Sequence, residues 1–250
     1  MTQNIYDNDA FFDGYGQLER SISGLDGAPE WPALRALMPD LHGRKVLDLG
    51  CGYGWFSRWA NENGAASVLG LDVSEKMLER ARLDTQENTH TNAQANTVTY
   101  AIADLDNVHF SPAAYDFVYS SLTLHYLKNL DKLFAQIHST LTPDGSFVFS
   151  AEHPMTTAPD NPGWMKDEKG GVVWPVNHYL NEGTRTTDWL APGVIKQHRT
   201  IATYLNLLIA AGFTITHVEE WGPSEEQMAA RPDWCNERHR PFFLLVRAQR

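Results

Sequence analysis

From Lys45 to Ala151 the chain alternates short apolar runs with longer stretches whose apolar residues recur one helical turn apart. Lys45 to Leu49 reads as a continuous apolar strand of the kind buried in a parallel sheet. Trp55, Phe56, Trp59 and Ala60 mark a helix that Asn63-Gly64 closes. Ser67 to Asp72 is a second strand, and Ser74 is placed to cap a helix carrying Met77, Leu78 and Ala81. Residues 86 to 97 are polar and predict a loop. Val98 to Ala103 and Tyr115 to Ser121 are further strands, both ending in polar side chains. Leu130, Leu133, Phe134, Ile137 and Leu141 trace a helix, after which the turn Pro143-Asp144-Gly145 leads into a strand from Ser146 to Ala151. Between His153 and about His198 the period dissolves into prolines, glycines and Trp164, Trp174 and Trp189, predicting an insert of irregular structure. Regularity returns with a helical face of Ile201, Tyr204, Leu205, Leu208 and Ile209 ending at Gly212, then strands at Phe213 to Glu219 and Phe242 to Ala248.

Strands alternating with helices predict an α/β fold. The expected form is a doubly wound, Rossmann-like, mostly parallel sheet with an antiparallel final strand, helices on both faces and an insert after the fifth strand. Residues 1–250 are expected to form one domain: a lid segment over 1–43, a core over 44–152 and 199–250, and a lid insert over 153–198. An apolar content of 42% in 250 residues suffices for one sizeable core. In such sheets ligands bind beyond the carboxyl ends of the strands, so the polar strand ends converge on one crevice.

Charge and cysteine usage narrow the partners. A net charge of −11, from 31 acidic against 20 basic residues, argues against a sequence-independent grip on nucleic acid. Two cysteines, Cys51 and Cys235, make neither a disulfide framework nor a zinc spacing, which fits a reducing, cytoplasmic setting. The polar, acidic start of the chain has no signal-peptide pattern, and no run of some 18 apolar residues predicts a membrane span. No metal is expected, because the histidines lack helical i, i+4 pairing with an acid. A monomer or homodimer is expected.

The candidate chemistry centres on Val46-Leu-Asp-Leu-Gly-Cys-Gly-Tyr-Gly54, where a buried strand turns sharply on three glycines. One glycine permits positive φ, another lets a ligand approach the backbone, and the third lets the next helix pack closely. Asp72, roughly 20 residues on and ending the second strand, is placed to take both ribose hydroxyls of an adenosine-bearing ligand. Dinucleotide loops run Gly-x-Gly-x-x-Gly against a pyrophosphate, whereas Gly50-x-Gly52-x-Gly54 is one residue short. Asp48 would also repel a diphosphate, while attracting an ammonium directly or through water.

With these residues the chain resembles the class I S-adenosylmethionine-dependent methyltransferases, whose first motif is hydrophobic-Leu-Asp-hydrophobic-Gly-x-Gly-x-Gly. The resemblance implies that Gly50 and Gly52, with Asp48 and Cys51 beside them, hold the methionine part of S-adenosyl-L-methionine. It also implies that Asp72 holds the ribose and Val73 flanks the adenine, with Met77 a further cofactor-binding candidate. Asp104 matches the acid that accepts the adenine amino group, with Leu105 offering an adjacent amide, and Ser120 borders the methionine. Tyr15 and Arg20 belong to an N-terminal segment that in several members folds over the cofactor and contacts its carboxylate. Leu122-Thr-Leu-His-Tyr126 is similar to the loop of small-molecule members in which a His stands near the sulfonium.

A sulfonium methyl is already activated, so in-line placement within about 3–3.5 Å and exclusion of water supply much of the rate. A base helps only a protonated acceptor, and the candidates are His125, His153 and His198, with His178, Glu152 and Tyr179 behind them. Asp106, Asp116 and the arginines from Arg238 onward read as surface residues. The Asn/Asp-Pro-Pro-Tyr/Phe sequence that grips a flipped base is missing after the fourth strand. A small-molecule acceptor is therefore expected. The alternatives are a non-catalytic S-adenosylmethionine-binding sensor or partner protein, and an NAD(P)-dependent oxidoreductase, which the glycine spacing disfavours.

Overall fold

The computed structural model describes residues 2–89 and 97–250. Three short helices come first: α1 (Asp9–Gly16), α2 (Glu19–Ile22) and α3 (Trp31–Ala36). The strand and helix alternation follows as β1 (Lys45–Leu49), α4 (Trp55–Glu62), β2 (Ser67–Asp72), α5 (Glu75–Thr89), β3 (Val98–Ile102), β4 (Tyr115–Ser121), α6 (Leu130–Thr140) and β5 (Leu141–Glu152). The insert holds α7 (Pro154–Thr157) and two antiparallel hairpins, β6 (Met165–Lys166) with β7 (Val172–Val173) and β8 (Gly183–Trp189) with β9 (Ala191–His198). Then come α8 (Ile201–Ala210), β10 (Thr214–Trp221), α9 (Glu225–Ala230) and β11 (Phe243–Gln249).

Seven strands form one sheet in the order β10-β11-β5-β4-β1-β2-β3. β1 to β5 run parallel, and β11 enters antiparallel between β5 and β10. This is the doubly wound, Rossmann-like sheet with an antiparallel final strand that the alternation predicts. Two apolar cores cover its faces. One gathers Leu47, Leu49, Phe134, Phe147, Phe149, Tyr204 and Leu244, and the other Trp31, Val46, Phe56, Phe117, Tyr119 and Leu245. Successive strand residues point to opposite faces, so Val46 and Leu47 fall in different cores. Full burial of side chains this size contributes about 1.5–3 kcal/mol each.

Two expectations need correction. The polar stretch from residue 86 is not loop as far as Thr89, because α5 continues through it, with Gln86 and Glu87 good helix formers, while residues 90–96 lie outside the described residues. The insert is more regular than its prolines suggest, since β8 and β9 make a long hairpin. Among the described residues, no helix is long and apolar enough to cross a membrane.

Candidate active site

The turn after β1 is built so that its backbone, not its side chains, faces the crevice. Gly50 has φ +74°, and a Cβ there would lie 2.0 Å from Thr123 Oγ1, so the loop after β4 packs directly on it. Gly52 has φ +52°, but a Cβ there would meet nothing within 4 Å. It faces open space. The two N–H groups of Gly50 and Cys51 both donate to Leu71 O, which ties the turn to β2.

Asp72 ends β2 with its carboxylate accepting from Gly52 N–H and Ser74 N–H, both at 2.9 Å. Burial raises its pKa, and those backbone donors only partly offset the effect. Asp48, in β1 and 2% exposed, accepts from Ser57 Oγ at 2.6 Å. Burial, with the Asp72 charge adding to it, pushes its carboxyl up to about 7. Cys51 lies beside them with its thiol pKa raised by burial, so it is no nucleophile at neutral pH.

A strap of N-terminal chain crosses this end of the crevice. Thr2 Oγ1 lies 2.8 Å from both Asp104 Oδ1 and Asp106 Oδ2, Asn4 Nδ2 donates to Val73 O at 3.3 Å, and Ser74 Oγ donates to Asp7 at 2.5 Å. Asp104 also accepts from Asn107, and these bonds outweigh burial to hold its carboxyl below the usual range. Its side chain does not line the cavity, whereas Ala103, Leu105, Val73 and Met77 do. Asp106 is a correction: it is buried, and its Oδ1 accepts from the Lys128 and Asn129 N–H groups at 2.9 Å, fastening the start of α6.

On the other side of the glycine turn, Tyr15 and Arg20 both line the cavity. Arg20 Nη2 already donates to both carboxylate oxygens of the fully buried Glu30, at 3.0 and 3.1 Å. Ser120 does not reach the cavity, because its hydroxyl is buried and donates to Leu49 O at 2.9 Å. Its neighbours Ser121, Leu122 and Thr123 take that place.

Of the three candidate histidines only His125 lines the cavity. Its Nδ1 accepts from the Glu152 N–H at 3.3 Å, which leaves the ring proton on Nε2, 3.9 Å from Glu152 Oε1. Burial lowers its pKa to about 4, so it is a neutral imidazole and a poor base near neutrality. His153 instead caps α7 through Met155 N–H and reaches Glu220 at 3.0 Å. His198 is held between Thr157 Oγ1 and Tyr179 O. Neither ring lines the cavity. His178 is paired with Asp160, outside the cavity.

Glu152, at the end of β5, does line the cavity, and its Oε1 lies 2.5 Å from Lys196 Nζ. Burial alone would raise its pKa, yet His125 and Lys196 outweigh that and hold it below the ordinary range. Around it stand Tyr6, Tyr126 and Trp189. The whole cavity measures about 770 Å3 and continues to Trp31, Trp221, Trp234 and Phe243. That far wall, to which α3 contributes Trp31 and the stretch from Trp221 to Phe243 the rest, was missed by sequence reasoning. The aromatic residues Trp221, Trp234 and Phe242 flanking an otherwise polar stretch were its one signal. Arg240, read as surface, is buried against Trp164, Trp174 and Phe242 at 5.1, 4.0 and 4.6 Å, and so pins the insert to the core. Among the described residues, no group of three or more His, Cys, Asp or Glu is disposed to hold a metal ion.

Comparison with known proteins adds the chemical context. A family model described as a methyltransferase domain matches residues 47–149. The crystal structure of an S-adenosylmethionine dependent methyltransferase from Mesorhizobium loti is 53% identical, covers 91% of this chain and 100% of its own, and superposes with a TM-score of 0.84. An uncharacterized protein of Haemophilus influenzae is 38% identical over 256 residues, 99% of this chain and 97% of its own length. Malonyl-[acyl-carrier protein] O-methyltransferase of Pectobacterium atrosepticum is 30% identical over 139 residues, 56% of this chain but 47% of that protein.

Proposed function

The chain belongs to the class I S-adenosylmethionine-dependent methyltransferases, and from that premise we propose that it methylates a small molecule held between the glycine turn and Glu152. When bound, S-adenosylmethionine supplies a methyl group on a positively charged sulfur with a neutral leaving group. The residues present fit this group. Gly52 offers bare backbone where a side chain would intrude, and the buried Asp48 and Asp72 carboxylates suit a ligand carrying an ammonium and a ribose. Asp72, Val73, Met77 and Leu105 would hold the nucleoside end, while Asp48, Gly50, Gly52 and Tyr15 would hold the amino-acid end. Arg20 would meet a carboxylate only by sharing its Glu30 partner.

The observation that carries the reading is one cavity joining the glycine turn to a second chamber walled by Tyr6, His125, Tyr126, Glu152 and Trp189. A donor and an acceptor can therefore lie in one cavity, where orientation accounts for most of the acceleration. His125 serves as a neutral orienting group through Nε2–H, and Glu152 is a charged acceptor that can hold and orient a hydrogen-bond donor of the substrate. The volume suits a metabolite rather than a polymer segment. The free thiols Cys51 and Cys235 support a reducing compartment such as the cytoplasm.

Isothermal titration with S-adenosylhomocysteine tests the donor half. Asp72→Ala is expected to weaken binding by about 1.5–3 kcal/mol through loss of charge-assisted hydrogen bonds. Unchanged affinity would remove Asp72 from the site.

A further inference from the structure

The cavity reaches well beyond the strands that carry the glycine turn and Asp72. Those residues stand over β1 and β2, while β4, β5, β11 and β10 continue the same carboxyl edge and also contribute to its walls. Adjacent strands lie about 4.8 Å apart, so this second stretch extends roughly 14 Å. Trp31, Trp221, Trp234, Phe242 and Phe243 give it an apolar, aromatic lining.

Its charge is one-sided. Seven carboxylates line the whole cavity against two guanidiniums, and no lysine does. Both guanidiniums are engaged: Arg20 with Glu30, and Arg231 with Asp233 at 3.3 Å while lying over Trp234. A carboxylate or phosphate entering the chamber meets no uncommitted cation among the described lining residues.

Glu152 is different. Its Oε1 is taken by Lys196, but its Oε2 accepts no hydrogen bond among the described residues. The Lys196 ammonium also sits 5.1 Å from the Trp189 ring centroid, so this wall already binds one ammonium between a carboxylate and an indole face. Glu152 lines the cavity together with Tyr6 and Tyr126, whose rings lie 6.1 Å apart, so a carboxylate and aromatic rings are again offered together to a ligand.

Resting on the reading of one cavity for donor and acceptor, we propose that the acceptor is a primary or secondary amine on an aromatic or other apolar body. Its nitrogen sits on Glu152 Oε2 and its body lies along the aromatic stretch toward Trp221 and Phe243. The amine arrives as an ammonium, loses one proton to solvent and stays held at Glu152 Oε2 through a remaining N–H. The freed lone pair forms the new N–C bond as the C–S bond of the donor breaks, and sulfur keeps the bonding pair. The products are an N-methylammonium and a neutral thioether.

The test is titration of matched probes into protein saturated with S-adenosylhomocysteine: 2-phenylethylamine against 3-phenylpropionate, and tryptamine against indole-3-propionate. The amine of each pair should bind at least about tenfold more tightly than its acid, and Glu152→Gln should erase most of that preference. Retained S-adenosylhomocysteine affinity in Glu152→Gln shows that the variant is folded. Acids binding as well as amines, neither class binding, or a preference that survives Glu152→Gln would each overturn the proposal. If S-adenosylhomocysteine itself fails to bind the unaltered protein, the donor reading falls instead, so the two failures are distinct.

Discussion

Adding one methyl group to Gly50 and to Gly52 in turn separates what the glycine loop does for the fold from what it does for a ligand. Both residues hold positive φ, which costs an alanine about 1–2 kcal/mol. At Gly52 that is the whole folding penalty, since its Cβ would meet no atom within 4 Å. For a domain of this size the melting temperature should fall by roughly 2–8 °C. At Gly50 the same Cβ also strikes three atoms of Thr123, at 2.0, 2.6 and 2.7 Å, and Thr123 is held by its own bond to Ser121 O. Overpacking of that kind adds about 1–3 kcal/mol, for a total near 2–5. Binding should follow a different order. The Gly52 methyl projects into the space proposed for the donor, so S-adenosylhomocysteine affinity should drop at least about tenfold, or 1.4 kcal/mol. Gly43→Ala is the control: it has φ +73°, equally open surroundings and no place in the cavity lining. It should show the thermal shift without the affinity loss. Thermal denaturation and calorimetric titration on the three variants are sufficient. Gly52→Ala with the expected melting shift but affinity within twofold of the parent would falsify the assignment of Gly52 to the donor face.

Two more outcomes follow from the carboxylates. Burial raises the Asp48 pKa to about 7 in the folded chain, so its contribution to stability is fully present below the unfolded value of 3.8 and is lost as pH rises toward 7. His125 has the opposite sign, its contribution being lost as pH falls from 6.5 toward 4. The difference between parent and Asp48→Asn curves therefore isolates Asp48. The variant should gain stability relative to the parent between pH 4 and 7 and lose donor affinity at pH 8; a difference curve flat across that window counts against the assignment. Asp106→Ala should destabilise by about 2–4 kcal/mol in urea unfolding, because it orphans the Lys128 and Asn129 N–H groups. A loss under about 0.5 kcal/mol would mean that Asp106 behaves as a surface residue after all.

The parallel sheet and the glycine turn were legible because both are local. An apolar run, a helical period and a cluster of glycines each declare themselves within about ten residues. The errors lie where a partner is distant. Asp106 looked solvated because Lys128 and Thr2 stand 22 and 104 residues away along the chain. Arg240 looked exposed because its aromatic neighbours Trp164 and Trp174 belong to the insert. The β8–β9 hairpin escaped notice because β8 reads Gly-Thr-Arg-Thr-Thr-Asp-Trp, which alternates in exposure without alternating in polarity. His153 and Ser120 were expected at the crevice from their strand ends, yet each stands one residue from the side chain that gets there, Glu152 and Ser121 respectively. In a period of two, one residue reverses the direction.

The raised carboxylates link stability to function. Water would solvate Asp48 and Asp72 better than the folded chain does, and the fold keeps them nonetheless. A shift from 3.8 to about 7 corresponds to on the order of 4 kcal/mol of unfavourable charge burial for Asp48 above that pH. Replacing it with an apolar side chain would relieve that penalty but leave the Ser57 hydroxyl unpaired. No lysine or arginine contacts Asp48 among its described hydrogen-bond and ion-pair partners, so the missing counter-charge is one that a cationic ligand brings. Each unit by which such a ligand lowers the Asp48 pKa returns about 1.4 kcal/mol as binding free energy. A dinucleotide phosphate in the same place would raise the penalty instead. The sign of this one buried charge, together with the shortened glycine turn, therefore favours a donor with a cationic amino-acid end over a diphosphate.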